Sequence, residues 1–133
     1  MRKLLACAVV ALFAADVHGC DCSTGSVESG MESADLVFGA NVISASVKGV
    51  VVEIEIDGVA SLKGDAKGLR KITTNVGKSA CGFLVSVPER YVFFTNAKGE
   101  FNRCGATRLL TDPELGALTS KVIRIWRSGS DQP

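Results

Sequence analysis

Two cysteines separated by one residue, Cys20 and Cys22, follow directly on an apolar leader, and the next cysteines are Cys81 and Cys104. No other feature of the 133-residue chain restricts its folding as much. Met1-Arg2-Lys3 is a short positive start, Leu4 to Ala15 an unbroken apolar run of 12 residues, and Asp16-Val17-His18-Gly19 a polar, small-residue end. This is the layout of a secretory signal peptide over residues 1–19, and its apolar run is too short to span a bilayer as a helix. Val17 and Gly19 are small enough for the signal peptidase pockets, so cleavage is expected after Gly19. A cut after Ala14 or Ala15 would place Leu12 or Phe13 at the critical upstream position. A buried N-terminal helix fits less well, because Gly19-Cys20-Asp21-Cys22 would end it abruptly.

Cleavage would leave a 114-residue mature chain that has lost Arg2, Lys3 and Asp16, which takes the formal charge from +1 to zero. A neutral chain without a basic cluster gives no electrostatic reason to expect nucleic acid or an anionic membrane as partner. Cys7 leaves with the leader, and the remaining four cysteines of an exported chain read as a disulfide framework. Four cysteines allow three pairings. A Cys20–Cys22 bond would close a very small strained ring, so one of the two is expected to reach Cys81 and the other Cys104. Each such bridge closes a loop of roughly 60 to 80 residues, worth about 4 kcal/mol in the chain-entropy model. The competing four-thiolate metal site would normally show two Cys-x-x-Cys pairs, and here there is a single close pair of different spacing.

The sole histidine, His18, lies in the leader. Its loss removes Ser-His-Asp and Cys-His catalysis and every histidine-based zinc site, and oxidised cysteines leave no thiol nucleophile. Glu53 and Glu55 share one face of a strand-like run, the pattern of a solvated strand face rather than of carboxylates opposed across a cleft. A binding module is expected, not an enzyme, with no cofactor of its own and as a monomer.

The body of the chain reads as short strands between glycine turns. Val27-Glu28-Ser29 begins a short helix. Ala34 to Val47 is a long strand with a bend at Gly39, Lys48-Gly49 a tight turn, and Val50 to Ile56 an alternating strand. Asp57-Gly58 is expected to be a hairpin turn. Arg70 to Asn75, Phe83 to Val87 and Arg90 to Thr95 are further strands. Asp112 can cap a helix that begins at Pro113 and buries Leu115, Leu118, Val122 and Ile125, with Trp126 seating it on the sheet. Residues 128–133 are expected to form a frayed tail after a domain spanning 20–127. The expected fold is mainly β: a small five-stranded antiparallel barrel with a C-terminal helix and a short N-terminal one.

A set of ordered motifs carries a family likeness. They are Cys20-x-Cys22 at the mature N-terminus, Ala34-Asp35-Leu36-Val37-Phe38, Ser61-Leu62-Lys63-Gly64, Ser79-Ala80-Cys81-Gly82-Phe83, Glu89-Arg90-Tyr91-Val92-Phe93, and Gly99-Glu100-Phe101 before Cys104. In this order the chain resembles the netrin-like module, and in particular the inhibitory domain of the tissue inhibitors of metalloproteinases. The resemblance implies an OB-fold barrel with disulfides Cys20–Cys81 and Cys22–Cys104. It further implies a secreted, extracellular inhibitor of a zinc metalloproteinase. The free α-amine and carbonyl oxygen of Cys20 would chelate the partner's catalytic zinc, and Asp21, Cys22, Ser23, Ala80, Cys81 and Gly82 would lie against the protease. An amine and the carbonyl of the same residue close a five-membered chelate ring, and an α-amine with a reference pKa of about 7.7–8.0 has little proton to lose near neutral pH.

The chain departs from the family in three ways. Asp21 stands where the inhibitors carry Ser or Thr, and an anion is costly to bury in an apolar specificity pocket. No cysteine lies between Cys22 and Cys81 to form a third bridge, and Val47-Lys48-Gly49-Val50 turns at once where the inhibitors have an extended loop. Asp21 and the missing loop suit a second reading, a non-inhibitory netrin-like module that binds another extracellular protein. In a third reading Val17-His18-Gly19-Cys20 loosely resembles a bacterial lipobox. Lipid on Cys20 would then anchor the protein in a bacterial envelope and block the amine.

Overall fold

The computed structural model describes Cys20 and residues 22–129. The expected signal peptide, Asp21 and residues 130–133 lie outside the described residues. Helix α1 (Val27–Ser33) leads into a five-stranded antiparallel sheet: β1 (Leu36–Lys48), β2 (Val51–Lys63), β3 (Lys71–Asn75), β4 (Arg90–Thr95) and β5 (Arg108–Leu109). Helix α2 (Ala117–Gly129) closes the chain, and the strand order is β3-β2-β1-β4-β5. Fold class and terminal helix therefore follow the pattern of the sequence.

The strands form because their side chains alternate between two apolar environments. Phe38, Ala40 and Val42 of β1, Ile54 and Ile56 of β2, Ile72 of β3, and Tyr91 and Phe93 of β4 pack together on one face of the sheet with Phe101. The intervening Val37, Ala60, Val92 and Phe94 face the helices, where they meet Ala106, Leu110, Leu115 and Val122. Gly39 lies on that second face. A Cβ there would come within 2.5 Å of Val122 Cγ1, so the missing side chain is what lets α2 lie close on the sheet. Trp126 joins the same cluster, donates its indole N–H to the Gly58 carbonyl, and carries the Arg90 guanidinium 5.4 Å from its ring centre.

Four expectations are corrected. First, Asp57-Gly58 is no hairpin turn: β2 runs straight through it. Gly39 faces Ala60 and Asn41 faces Asp57, so two steps along β1 match three along β2, and Gly58 takes up the extra residue at φ +61°. This is a β-bulge with glycine in the left-handed region. Second, Phe83 to Val87 joins no ladder. Phe83 N–H goes to Thr74 Oγ1 (3.0 Å) and Ser86 N–H to the Tyr91 hydroxyl (2.8 Å), so side chains take the bonds a strand would need. Third, Asp112 caps as expected, its carboxylate accepting from Glu114 N, but Pro113–Leu115 is a single 3₁₀ turn ended by Gly116 at φ +54°. The α-helix starts only at Ala117 and continues through Gly129, so Ser128 and Gly129 are helical rather than part of a tail.

Fourth, the barrel is open. The ladder stops at β3 on one side and at β5 on the other. Among the described residues the gap is crossed by one parallel bridge between Thr73 and Glu100, with Thr73 N–H donating to Gly99 O and Phe101 N–H to Thr73 O, both at 3.0 Å. The chain beyond Phe101 is drawn off to the disulfide at Cys104 and cannot extend this contact into a strand.

Candidate functional site

The start of the described chain is tied to one end of the sheet. Cys20 is bonded to Cys81 (Cα–Cα 5.0 Å) and Cys22 to Cys104 (Cα–Cα 5.4 Å). The four sulfurs lie within 4.8 Å of one another, and across the two bridges Cys20 Sγ stands 3.4 Å from Cys22 Sγ and 3.5 Å from Cys104 Sγ. All four cysteines are half-buried. Three pieces of chain converge here: the N-terminal segment, the β3–β4 connection, and the loop after Phe101.

Each piece is fixed locally. Asn75, the last residue of β3, donates from its side-chain amide to Ala80 O (2.9 Å). Gly82 N–H returns to Gly77 O (3.0 Å), which closes the loop over residues 77–82 and presents Cys81 at φ +62°. Gly82 is required there, because a Cβ would stand 2.0 Å from the Asn75 carbonyl oxygen. On the other side Cys104 N–H donates to Asn102 Oδ1 (2.9 Å) and Arg103 N–H to Cys81 O (3.0 Å), binding the two loops together.

Both polar backbone atoms of Cys20 are engaged. Its nitrogen donates to Ser79 O at 3.1 Å, and its carbonyl oxygen accepts from Arg103 Nη2 at 2.6 Å. A charge-assisted bond of that length fixes the direction of the carbonyl. Arg103 Nε is buried and has no hydrogen-bond partner. A few residues on, Arg108 donates to Gly25 O, bonds Glu114 at 2.7 Å, and lies 3.7 Å from Asp112, so the segment after Cys22 is held by a second arginine.

Of the site residues expected from the sequence, Cys20, Cys22, Ala80, Cys81 and Gly82 come together at this end of the molecule. Ser23 and Ala80 are exposed, and Asp21 lies outside the described residues. Two aliphatic side chains stand in solvent on the connected loops: Leu84, 89% exposed and two residues beyond Gly82, and Val50, 81% exposed, whose carbonyl accepts from Val76 N–H. The sequence alone does not single out Arg103 or Asn75, and it marks Ser79 only as the start of the Ser79-Ala80-Cys81-Gly82-Phe83 motif. Arg103 directly precedes Cys104, but its aim at a carbonyl 83 positions earlier exists only in the fold.

Glu53 and Glu55 lie two residues apart on β2. Glu53 forms a surface ion pair with Lys71 (3.0 Å), and its hydrogen bond and charge raise the lysine pKa, while Glu55 is exposed. Among the described residues no helix is long and apolar enough to cross a membrane, and the two disulfides are compatible with an extracellular protein. Neither a protein-family model nor a curated protein matches the chain.

Proposed function

We propose that this protein is exported, is cleaved before Cys20, and inhibits a zinc metalloproteinase by offering the α-amine and carbonyl oxygen of Cys20 to the partner's catalytic zinc. The observation that carries the reading is the double anchoring of Cys20, by Ser79 O at its nitrogen and by Arg103 at its oxygen, beside two disulfides. A released α-amine keeps its bond to Ser79 O with one hydrogen and still has its lone pair for a metal. The carbonyl has two lone pairs, of which Arg103 uses one. Both donor atoms are thus oriented before docking, and little ordering entropy remains to be lost. A catalytic zinc keeps an open position that such a chelate can fill. Leu84 and Val50, exposed on loops linked to this end, are candidate apolar contacts for the protease.

The second reading, a netrin-like module that binds another extracellular protein without inhibition, is favoured by the Arg103 guanidinium. A cation 2.6 Å from the Cys20 oxygen opposes the approach of zinc to the same atom. One experiment separates the two. The protein is prepared with Cys20 as its true first residue and again with one alanine in front, and both forms are titrated against a panel of zinc metalloproteinases. The inhibitor reading expects inhibition from the first form and its loss in the second. If both folded, oxidised forms leave every protease active, the non-inhibitory module is the better account.

A further inference from the structure

We infer that the four cysteines form a zinc site when both disulfides are reduced. A zinc tetrathiolate needs four sulfurs about 3.8 Å apart around a metal about 2.3 Å from each. Here all four sulfurs already lie within 4.8 Å of one another, and the contacts from Cys20 to Cys22 and Cys104 across the two bridges are 3.4 and 3.5 Å. Once the two S–S bonds are broken, these distances need to change by only about 1–2 Å to reach the tetrahedral value, and the loops bearing Cys81 and Cys104 stay linked by the Arg103 N–H to Cys81 O bond, which does not depend on the disulfides.

A second observation points to the same place. Arg103, directly before Cys104, has a buried Nε without a hydrogen-bond partner, and its guanidinium reaches Cys20. Zinc bound by four thiolates is a doubly negative centre. A neighbouring guanidinium offsets half of that charge, and an idle N–H is what a coordinating thiolate accepts from in its surroundings. The reaction balances with a dithiol as reductant. Two dithiols give up two electrons and two protons each, becoming cyclic disulfides, and the protein gains four thiols. Zinc then binds the four sulfurs and displaces four protons. The site does not depend on the inhibitor reading, since zinc here is held by side chains that an inhibitor keeps oxidised.

The test uses the protein as secreted by an expression host, reduced with a dithiol, freed of reductant without oxygen, and titrated with zinc ion against a chromophoric chelator. The expected result is one zinc per reduced chain, none per oxidised chain, and a β-sheet circular dichroism spectrum of the loaded chain that matches the oxidised protein's. Cobalt in place of zinc should give the absorption of a tetrahedral tetrathiolate, and the bound metal should slow alkylation of the cysteines at least tenfold. Arg103→Gln should weaken zinc binding about tenfold, the usual scale for a group that supports a metal ligand. Sub-stoichiometric uptake, a zinc-loaded chain whose sheet spectrum departs from that of the oxidised protein, or an affinity unchanged in Arg103→Gln would each overturn the site.

Discussion

Substituting Gly82 by alanine tests how tightly the loop that holds Cys81 is built. The new methyl carbon would stand 2.0 Å from Asn75 O, 2.9 Å from Asn75 C and 2.9 Å from Gly77 O. All three are backbone atoms, so no side chain can swing away, and the loop must open by about 1 Å. Overpacking costs about 1–3 kcal/mol, and a clash against backbone belongs at the upper end. The same shift breaks the Gly82 N–H to Gly77 O bond, worth about 1 kcal/mol more. A loss of about 4 kcal/mol corresponds to a fall in Tm of about 15 °C for a domain of this size. Gly68→Ala is the control, because nothing lies within 4 Å of a Cβ there. Both variants and the parent are melted in the oxidised state and followed by circular dichroism. If Gly82→Ala unfolds within about 1 kcal/mol of Gly68→Ala, the loop is not locked as described, and Cys81 is not a fixed anchor for the N-terminus.

Removing the bridge between residues 82 positions apart with Cys22→Ser/Cys104→Ser should cost about 4 kcal/mol in urea unfolding; a change under 1 kcal/mol would show that the other bridge and Arg103 suffice to hold this end. Gly39→Ala should destabilise by about 2–3 kcal/mol because its methyl meets Val122, and combining it with Val122→Ala should recover at least about 1 kcal/mol of the summed losses in a double-mutant cycle. Glu53 raises the pKa of Lys71 above its usual 10.5, so the pair's contribution is fully present below that value and fades as pH rises through the folded-state pKa. Alkaline unfolding curves of the parent and Lys71→Gln should therefore converge at the top of the range and differ below it.

Where one residue's environment decides its conformation, the sequence was a sound guide. Arg90 to Thr95 is a strand as read, since every residue from Tyr91 to Thr95 is buried and β-favouring. The long first strand was displaced by only two residues at its start and one at its end. The errors came where a distant partner decides. Asp57-Gly58 has the composition of a turn, but Asn41, 16 residues away, bonds Asp57 and keeps the pair inside a ladder as a bulge. Phe83 to Val87 has the right alternation, with Phe83 and Val85 packed on the core and Leu84 outside, yet its N–H groups at Phe83 and Ser86 go to the side chains of Thr74 and Tyr91 instead of to a backbone ladder. The candidate site divides in the same way. The cysteines are visible in the sequence as a set, whereas the arginine that grips the Cys20 carbonyl is an ordinary surface cation until the loop after Phe101 folds back over Cys81.

The placement of the backbone restraints on Cys20 suits the proposed contact with a partner more than a role in stability. Among the described residues, the sheet and both cores are built from residues 36 onward, together with α1 and Ala34, and none of the buried apolar residues precedes Gly30. A bridge from Cys22 alone would already close a loop across most of the domain. The Cys20 disulfide adds stability of the same kind, but Cys20 also has a bond from its nitrogen to Ser79 and a bond from Arg103 to its oxygen, and these two act on backbone atoms that water could satisfy as well. Fixing one peptide unit in both position and direction adds little to a fold whose core lies elsewhere. Under the proposed reading those two atoms must meet a partner in a set geometry, so the extra-alanine form, with core and disulfide cysteines unchanged, tests that contact apart from the fold.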